Sequence, residues 1–474
     1  MDAVGTDAAD SGHPLEKQRW LRLALMTIST AMCAGFTSGM GIYVQLFVEA
    51  GVGSSLCNHR DSTCNEQYLF ASEVLATTAS MSLFLMFING WLFDRFGGYF
   101  LGQVGAGIVA VGFAIAQVPL LGAQSGHDDH TRSWLIMAVN IVEIGHMLGY
   151  TSMMSIVWHF PDFKSVVTAC STMTIFGTAC FPIILQALMR ASGLSFSSVM
   201  WGRLVLAALA CVCCRYTIPT MEEYRAQGAK AIGMPLPHAE DTTFCQVFRD
   251  AHLVLAQHWR THALAIVTLA MSFAFGFVYS GLLGDLGELL FGTVAAGETL
   301  ASTYNIVTGI GGCIVVPTFA CACDYFNTGS TALLAGMVML SGLTCVSVVQ
   351  KTWFAQVLTC VANALLYTLA GTYFTRYFMA FAGPVRLGSV AGLCNTYTSV
   401  LYLVLQAFLY KWMSVLPSTG PDHLILPLEV GCVAATTMFV VFGSYVALVG
   451  LPEKPVVLAE DKDDLDLLAD VRQS

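Results

Sequence analysis

The sequence predicts an all-α polytopic membrane protein with twelve membrane-spanning helices in two six-helix pseudo-repeats. Three observations predict it. Hydrophobic residues make up 56% of the 474 residues and charged residues only 11%, where soluble domains average roughly 45–50% and about 25%. Twelve stretches are apolar over the roughly 20 residues that a membrane helix needs. One long polar connector, residues 219–259, divides them into six and six.

In chain order the segments cover about 21–48, 68–92, 99–121, 133–157, 166–190, 196–218, 260–284, 300–323, 329–350, 353–378, 386–411 and 425–450. The expected domains are a polar N-terminal segment (1–20), an N-terminal bundle (21–218), the connector, a C-terminal bundle (260–450) and an acidic tail (451–474). No cleavable signal pattern precedes segment 1, which is expected to serve as its own insertion signal. Fifteen Lys and Arg fall on the side of the N-terminus and five on the other, with Arg203 inside segment 6 and expected to snorkel outward. The positive-inside rule then predicts both termini in the cytoplasm. The plasma membrane is the expected location, with an endosomal or vacuolar membrane as the alternative. A monomer in the lipid bilayer is expected, with a small-molecule substrate and no nucleic acid, because nothing resembles a basic nucleic-acid surface.

Most of the sixteen cysteines lie in apolar segments, where Cys acts as a small hydrophobe. Cys57 and Cys64 sit together in the first outer loop. They either close a small disulfide loop or remain two thiols; spacing alone does not decide. His252, His258 and His262 flank the connector without a supporting carboxylate and read as interfacial, so no metal or other cofactor is expected. No enzyme signature is present, and no phosphate-binding Gly-x-x-x-x-Gly-Lys, so neither catalysis nor ATP-driven pumping is expected.

The turn between segments 2 and 3 carries Gly90, Leu92, Asp94, Arg95 and Gly97. Its glycines permit close helix approach. Its carboxylate is placed to accept hydrogen bonds from a neighbouring helix N-terminus in one state of a gate. Asp324 closes segment 8 at the equivalent place, without the Arg. Phe163–Ala169 entering segment 5 and Arg386–Gly392 entering segment 11 echo each other in the same way.

The first turn resembles the Gly-x-Leu-x-Asp-Arg-x-Gly signature of the major facilitator superfamily, although Gly98 and Tyr99 replace its trailing basic pair. Within that superfamily the chain resembles the system-L facilitators of large neutral amino acids and related apicomplexan amino-acid transporters, over about residues 21–450. The resemblance rests on the Cys-bearing first outer loop, Phe160-Pro161-Asp162-Phe163, Gly177 and Pro182, and Trp201. Ile218-Pro219, Phe244-Cys245-Gln246-Val247-Phe248 and Gly388-Ser389-Val390-Ala391-Gly392 complete it. It implies facilitated or exchange transport of amino acids, neutral or also cationic, without sodium. The alternatives are a proton-coupled carrier of carboxylates or other small organic solutes, and a non-transporting sensor of the same fold.

The resemblance also implies that segments 1, 4, 7 and 10 line a central cavity. Treated as one helix, segment 1 places Thr27, Thr30, Thr37, Ser38, Gly41 and Gln45 within about a 100° arc. The cavity candidates are Thr37, Ser38 and Gly41 from segment 1, and Glu143, His146 and Tyr150 from segment 4. Segments 7 and 10 add Ser272, Tyr279, Asn363 and Tyr367. Glu143 stands out, because an ionised acid in mid-membrane costs about 2.5–3.5 kcal/mol on insertion scales. Three roles are open to it: binding an ammonium or cationic group, carrying a coupled proton, or pairing structurally with His146 or Arg203.

Overall fold

The computed structural model describes residues 18–57, 65–124, 131–232, 243–326, 329–383, 386–416 and 422–450, all of them helix or connecting turn. Segment 1 forms two helices, α1 (Arg19–Met32) and α2 (Met40–Glu49). Residues 33–39 leave the helical path, and Gly39 ends the break at φ +84°. The continuous polar arc expected on segment 1 is therefore absent. Thr27 is turned back onto the Leu23 carbonyl within α1.

Segment 2 comprises α3 (Asn65–Phe84) and the first turns of α4 (Met86–Gln124), which runs on into segment 3. The chain turns between them at Gly97, at φ +77°, a conformation that suits glycine. Segment 4 is α5 (Thr131–Ser152) with a tight turn at Met153–His159. Segment 5 is α6 (Lys164–Phe176) and α7 (Phe181–Ser192), joined by a 3-10 turn at Gly177–Cys180 just before Pro182. Segment 6 is α8 (Phe196–Thr217). The connector holds α9 (Met221–Ile232) and α10 (Phe244–Gln257).

Segment 7 is α11 (Trp259–Phe291). Segment 8 is α12 (Val294–Ile310) and α13 (Val316–Tyr325), separated by a π turn at Gly311–Val315 just before Pro317. A proline that supplies no N–H loosens the helix on its N-terminal side. Pro182 and Pro317 thus loosen segments 5 and 8 at matching heights. The last four helices are α14 (Gly329–Val348), α15 (Trp353–Ala382), α16 (Leu387–Val415) and α17 (Asp422–Val449). Thr293 and Thr352 cap α12 and α15 by accepting from the N–H three residues on.

Among the described residues, nine spans are long and apolar enough to cross a membrane. Segments 1, 2 and 4 fall short because they are broken or more polar. All three contribute to the central cavity described below.

The two six-helix halves meet along two seams, and glycine brings the backbones together in both. In the first, a Cβ on Gly90 would lie 1.9 Å from the Gly388 carbonyl oxygen, and one on Gly392 2.3 Å from that of Met86. In the second, a Cβ on Gly312 would lie 2.5 Å from the Gly177 nitrogen. Hydroxyls cross the first seam as well: Ser399 donates to the Ser80 carbonyl at 2.9 Å, and Thr396 to that of Phe84 at 2.9 Å.

Candidate functional site: a cavity against a broken helix

A cavity with an empty volume of about 880 Å³, part of it open to solvent, lies between the halves. Segment 1 contributes Thr37–Gly41, the end of the break and the first turn of α2. α11 supplies Phe273, Phe277, Ser280 and Leu283, and α12 supplies Ala301, Tyr304, Asn305 and Thr308. Ala79, Ser82 and Leu83 come from α3, Met147 from α5 and Tyr367 from α15. Ile175, Phe176 and Ala179 come from segment 5. The wall is mostly apolar and aromatic. Among the described residues it carries no Lys, Arg, His, Asp or Glu.

Polar groups concentrate at the break. Three of the wall hydroxyls are turned back onto their own helices: Ser82 onto Ala79, Ser280 onto Phe277 and Thr308 onto Tyr304. Ser38 differs, since its hydroxyl is buried and has no partner among the described residues. α2 points its N-terminus at the cavity, and a helix N-terminus carries free N–H groups and partial positive charge. On the opposite wall the Tyr367 ring packs edge-on against Phe176 and Phe277, at 4.9 and 5.4 Å between centroids.

The ionisable residues lie behind the break. The Glu143 carboxylate accepts from the Thr37 N–H at 2.7 Å and the Thr37 hydroxyl at 3.0 Å. His146 Nδ1 accepts from the Gly35 N–H at 3.2 Å and lies 3.6 Å from the Glu143 carboxylate. An accepting Nδ1 fixes the proton on Nε2. Arg203 donates to the Ala34 carbonyl and, at 2.8 Å, to the Tyr43 hydroxyl, beneath the Phe113 ring. Two N–H groups and a carbonyl freed by the unwinding are thus satisfied by three side chains, as burial requires. Gly35 leaves room for this: a Cβ there would lie 2.1 Å from a Glu143 oxygen.

Several candidates therefore take other places. Thr37, Ser38, Gly41 and Tyr367 line the cavity. Glu143 and His146, both fully buried, do not, because they clamp the break from outside the wall. Tyr150 is turned away to share a hydrogen bond with Thr375 at 3.2 Å. Tyr279 faces Cys360 and stacks on Phe275, and Ser272 and Asn363 are buried off the wall. Arg203 does not reach the surface; it is only 3% exposed, because the break supplies it with acceptors. Asn305, Tyr304 and Phe176 are wall residues that the choice of segments 1, 4, 7 and 10 left out. The Tyr304-Asn305 pair in an apolar segment is their visible signal. Cys57 is disulfide-bonded; Cys64 lies outside the described residues.

At one end of the molecule the two acidic turns do matching work. Asp94 accepts from the N–H groups of Gly388 and Ser389 at 2.9 and 2.8 Å and from the Ser389 hydroxyl at 2.5 Å. It therefore caps α16, a helix of the other half. Asp324 reciprocates, accepting from the Ser165 and Val166 N–H groups of α6 at 3.1 and 3.0 Å. Gly90 and Gly97 supply the close approach and the turn, while Arg95 lies over the Trp91 and Phe96 rings and does not join the latch. The connector packs on the same end. Arg386, which precedes α16, pairs with Asp250 of α10 at 3.2 Å. Tyr224 of α9 packs edge-on against Phe93. Burial first, and then the charge of Asp94, raise the Tyr224 phenol above its ordinary value, so it stays protonated.

No protein-family model matches the sequence, and no curated protein matches it. Solved structures do. The human organic anion transporter MFSD10 superposes with a TM-score of 0.64 at 10% identity, covering 91% of this chain and 99% of that one. The proton:xylose symporter XylE gives 0.63 at 12% identity, covering 93% and 97%. A bacterial homologue of the iron transporter ferroportin gives 0.58 at 14%, covering 89% and 99%. At such identities the likeness defines architecture alone, and that architecture is the twelve-helix major facilitator fold.

Proposed function

We infer that this protein carries a small organic solute across a membrane by alternating access, and that the solute is an amino acid with an uncharged, apolar side chain. One observation carries this reading: the broken first helix brings the N-terminus of α2 and Ser38, whose hydroxyl has no partner among the described residues, to a cavity whose other surfaces are mostly aromatic and aliphatic. A carboxylate suits the N-terminal end. A large side chain suits Phe273, Phe277 and Tyr367, and the ammonium group finds a carbonyl oxygen in Asn305. The lack of ionisable groups in the described wall disfavours cationic and acidic side chains, since a charge taken from water without a partner is costly.

The two carboxylate latches fit the gate of such a carrier. With the orientation expected from the positive-inside pattern, they close the cytoplasmic side, and release of both opens the cavity to the cytoplasm. Transport by MFSD10, XylE and the ferroportin homologue supports a carrier role for the fold without choosing the cargo. The test is uptake of amino acids into vesicles reconstituted with the purified protein. Saturable flux of large neutral amino acids is expected; flux of another solute class with none of any amino acid would overturn the reading.

A second reading, proton-coupled transport, rests on the contact of Glu143 and His146 at the break. A proton on His146 Nδ1 removes the acceptor of the Gly35 N–H, and a proton on Glu143 removes the charge that strengthens its bonds from Thr37. Proton coupling predicts uptake driven by an imposed pH gradient and abolished by a protonophore; a facilitator predicts neither effect.

A further inference from the structure

A second cavity, of about 1190 Å³ of partly open space, lies between the halves at the latch end. Its wall includes Lys164 and Ser165 at the start of α6, Asp324 and Ser330 around the turn after α13, and Tyr373 and Arg376 on α15. Neither cation makes an ion pair among the described residues. Lys164 stands over the Trp158 ring at 4.6 Å, and Arg376 donates to the Ser165 and Ser330 hydroxyls. Asp324, the one carboxylate of this wall among the described residues, has both oxygens committed to the N–H groups of α6. Tyr373, only 2% exposed, also lines this cavity, and its buried hydroxyl has no partner among the described residues.

A guanidinium, an ammonium and an unpartnered phenol converging on one space form an oxyanion-binding set. We propose that this cavity binds a phosphate group, held by Lys164 from one half and by Arg376 and Tyr373 from the other, and that its occupant stabilises the latched conformation. The site is separate from the cavity at the broken helix. Its two cations sit on opposite sides of the seam that Asp324 closes, so an anion bridging them binds the latched state better than the open one. A ligand shifts a conformational equilibrium by its difference in affinity for the two states. The effect on conformation rests on the alternating-access reading; binding itself does not.

The experiment uses the full chain in nanodiscs and reads thermal unfolding, so absence of transport does not affect it. In phosphatidylcholine discs, inorganic phosphate is titrated against chloride at constant ionic strength. A saturable rise in Tm is expected, with the midpoint concentration raised roughly tenfold in Lys164→Gln. Arg376→Gln is expected to act in the same direction. Because Arg376 also ties two serines together, Lys164→Gln and Tyr373→Phe serve as the variants that leave those bonds intact. If phosphate has no effect but discs containing phosphatidylinositol phosphate raise the Tm of the wild-type chain and not of Lys164→Gln, the occupant is a lipid headgroup. The proposal is overturned if neither source stabilises the protein, or if the variants are stabilised as much as the wild type.

Discussion

Glu143 is the residue that the sequence marks most clearly and explains least. A lone acid in mid-membrane has to face a cavity or a partner, and which of the two it meets depends on packing that no periodicity records. The partner is a stretch of backbone, the Thr37 N–H and hydroxyl, freed because segment 1 unwinds there. Glu143→Gln keeps one acceptor and loses the charge. It is expected to lower stability by about 1–3 kcal/mol, the cost of weakening a buried charge-assisted bond, while leaving side-chain selectivity unchanged. Thermal unfolding and an amino-acid competition series measure the two effects separately. Asn305→Ala should do the opposite. Asn305 touches the cavity, so the change is expected to raise the transport KM several-fold, by the roughly 0.5–1.5 kcal/mol of a hydrogen bond, with little change in Tm.

At the scale of elements, apolar length made the twelve segments legible, because the bilayer imposes length and apolarity on every span. Residues 33–39 were legible only in part: Gly35, Gly39 and Gly41 mark loosened backbone without fixing where the helix breaks. Thr27, Thr37 and Ser38 share an arc only if the helix continues, and Gly39 at φ +84° ends that assumption. The wall contribution of segment 5 was also hidden, since Ile175 and Phe176 read like any lipid-facing pair. The acidic turns were legible as positions for a helix cap, though only the fold identifies α16 and α6 as the helices they cap. Each latch is worth about 1.5–3 kcal/mol if it behaves like other hydrogen bonds to a charged group. Gly90→Ala would press a methyl group onto the Gly388 carbonyl, which is backbone and cannot swing aside. It is expected to weaken the seam between α4 and α16 and to act in the same direction as Asp94→Asn.

For the whole molecule, the two seams and two latches tie the halves together at one end. Removing both carboxylates, with Asp94→Asn and Asp324→Asn, is expected to shift the population toward opening by at least tenfold, since about 1.4 kcal/mol corresponds to one decade. Cys323 reports this. It is 9% exposed and lies in the wall of the latch-end cavity. Its alkylation by a water-soluble maleimide, followed by mass spectrometry, should quicken in the double variant by about the same factor.

The central claim joins this machine to a cargo: a carboxylate at the N-terminus of α2 with an uncharged apolar side chain among the aromatic residues. Its most direct measurement is exchange of a labelled large neutral amino acid in vesicles holding the purified protein, competed in parallel by related compounds. Other large neutral amino acids should compete. The decarboxylated amines, lysine and glutamate should not, because they lack the carboxylate or carry a side-chain charge that the described wall leaves unpaired. Equal competition by the amines, or no amino-acid exchange while a different solute is carried, would contradict it.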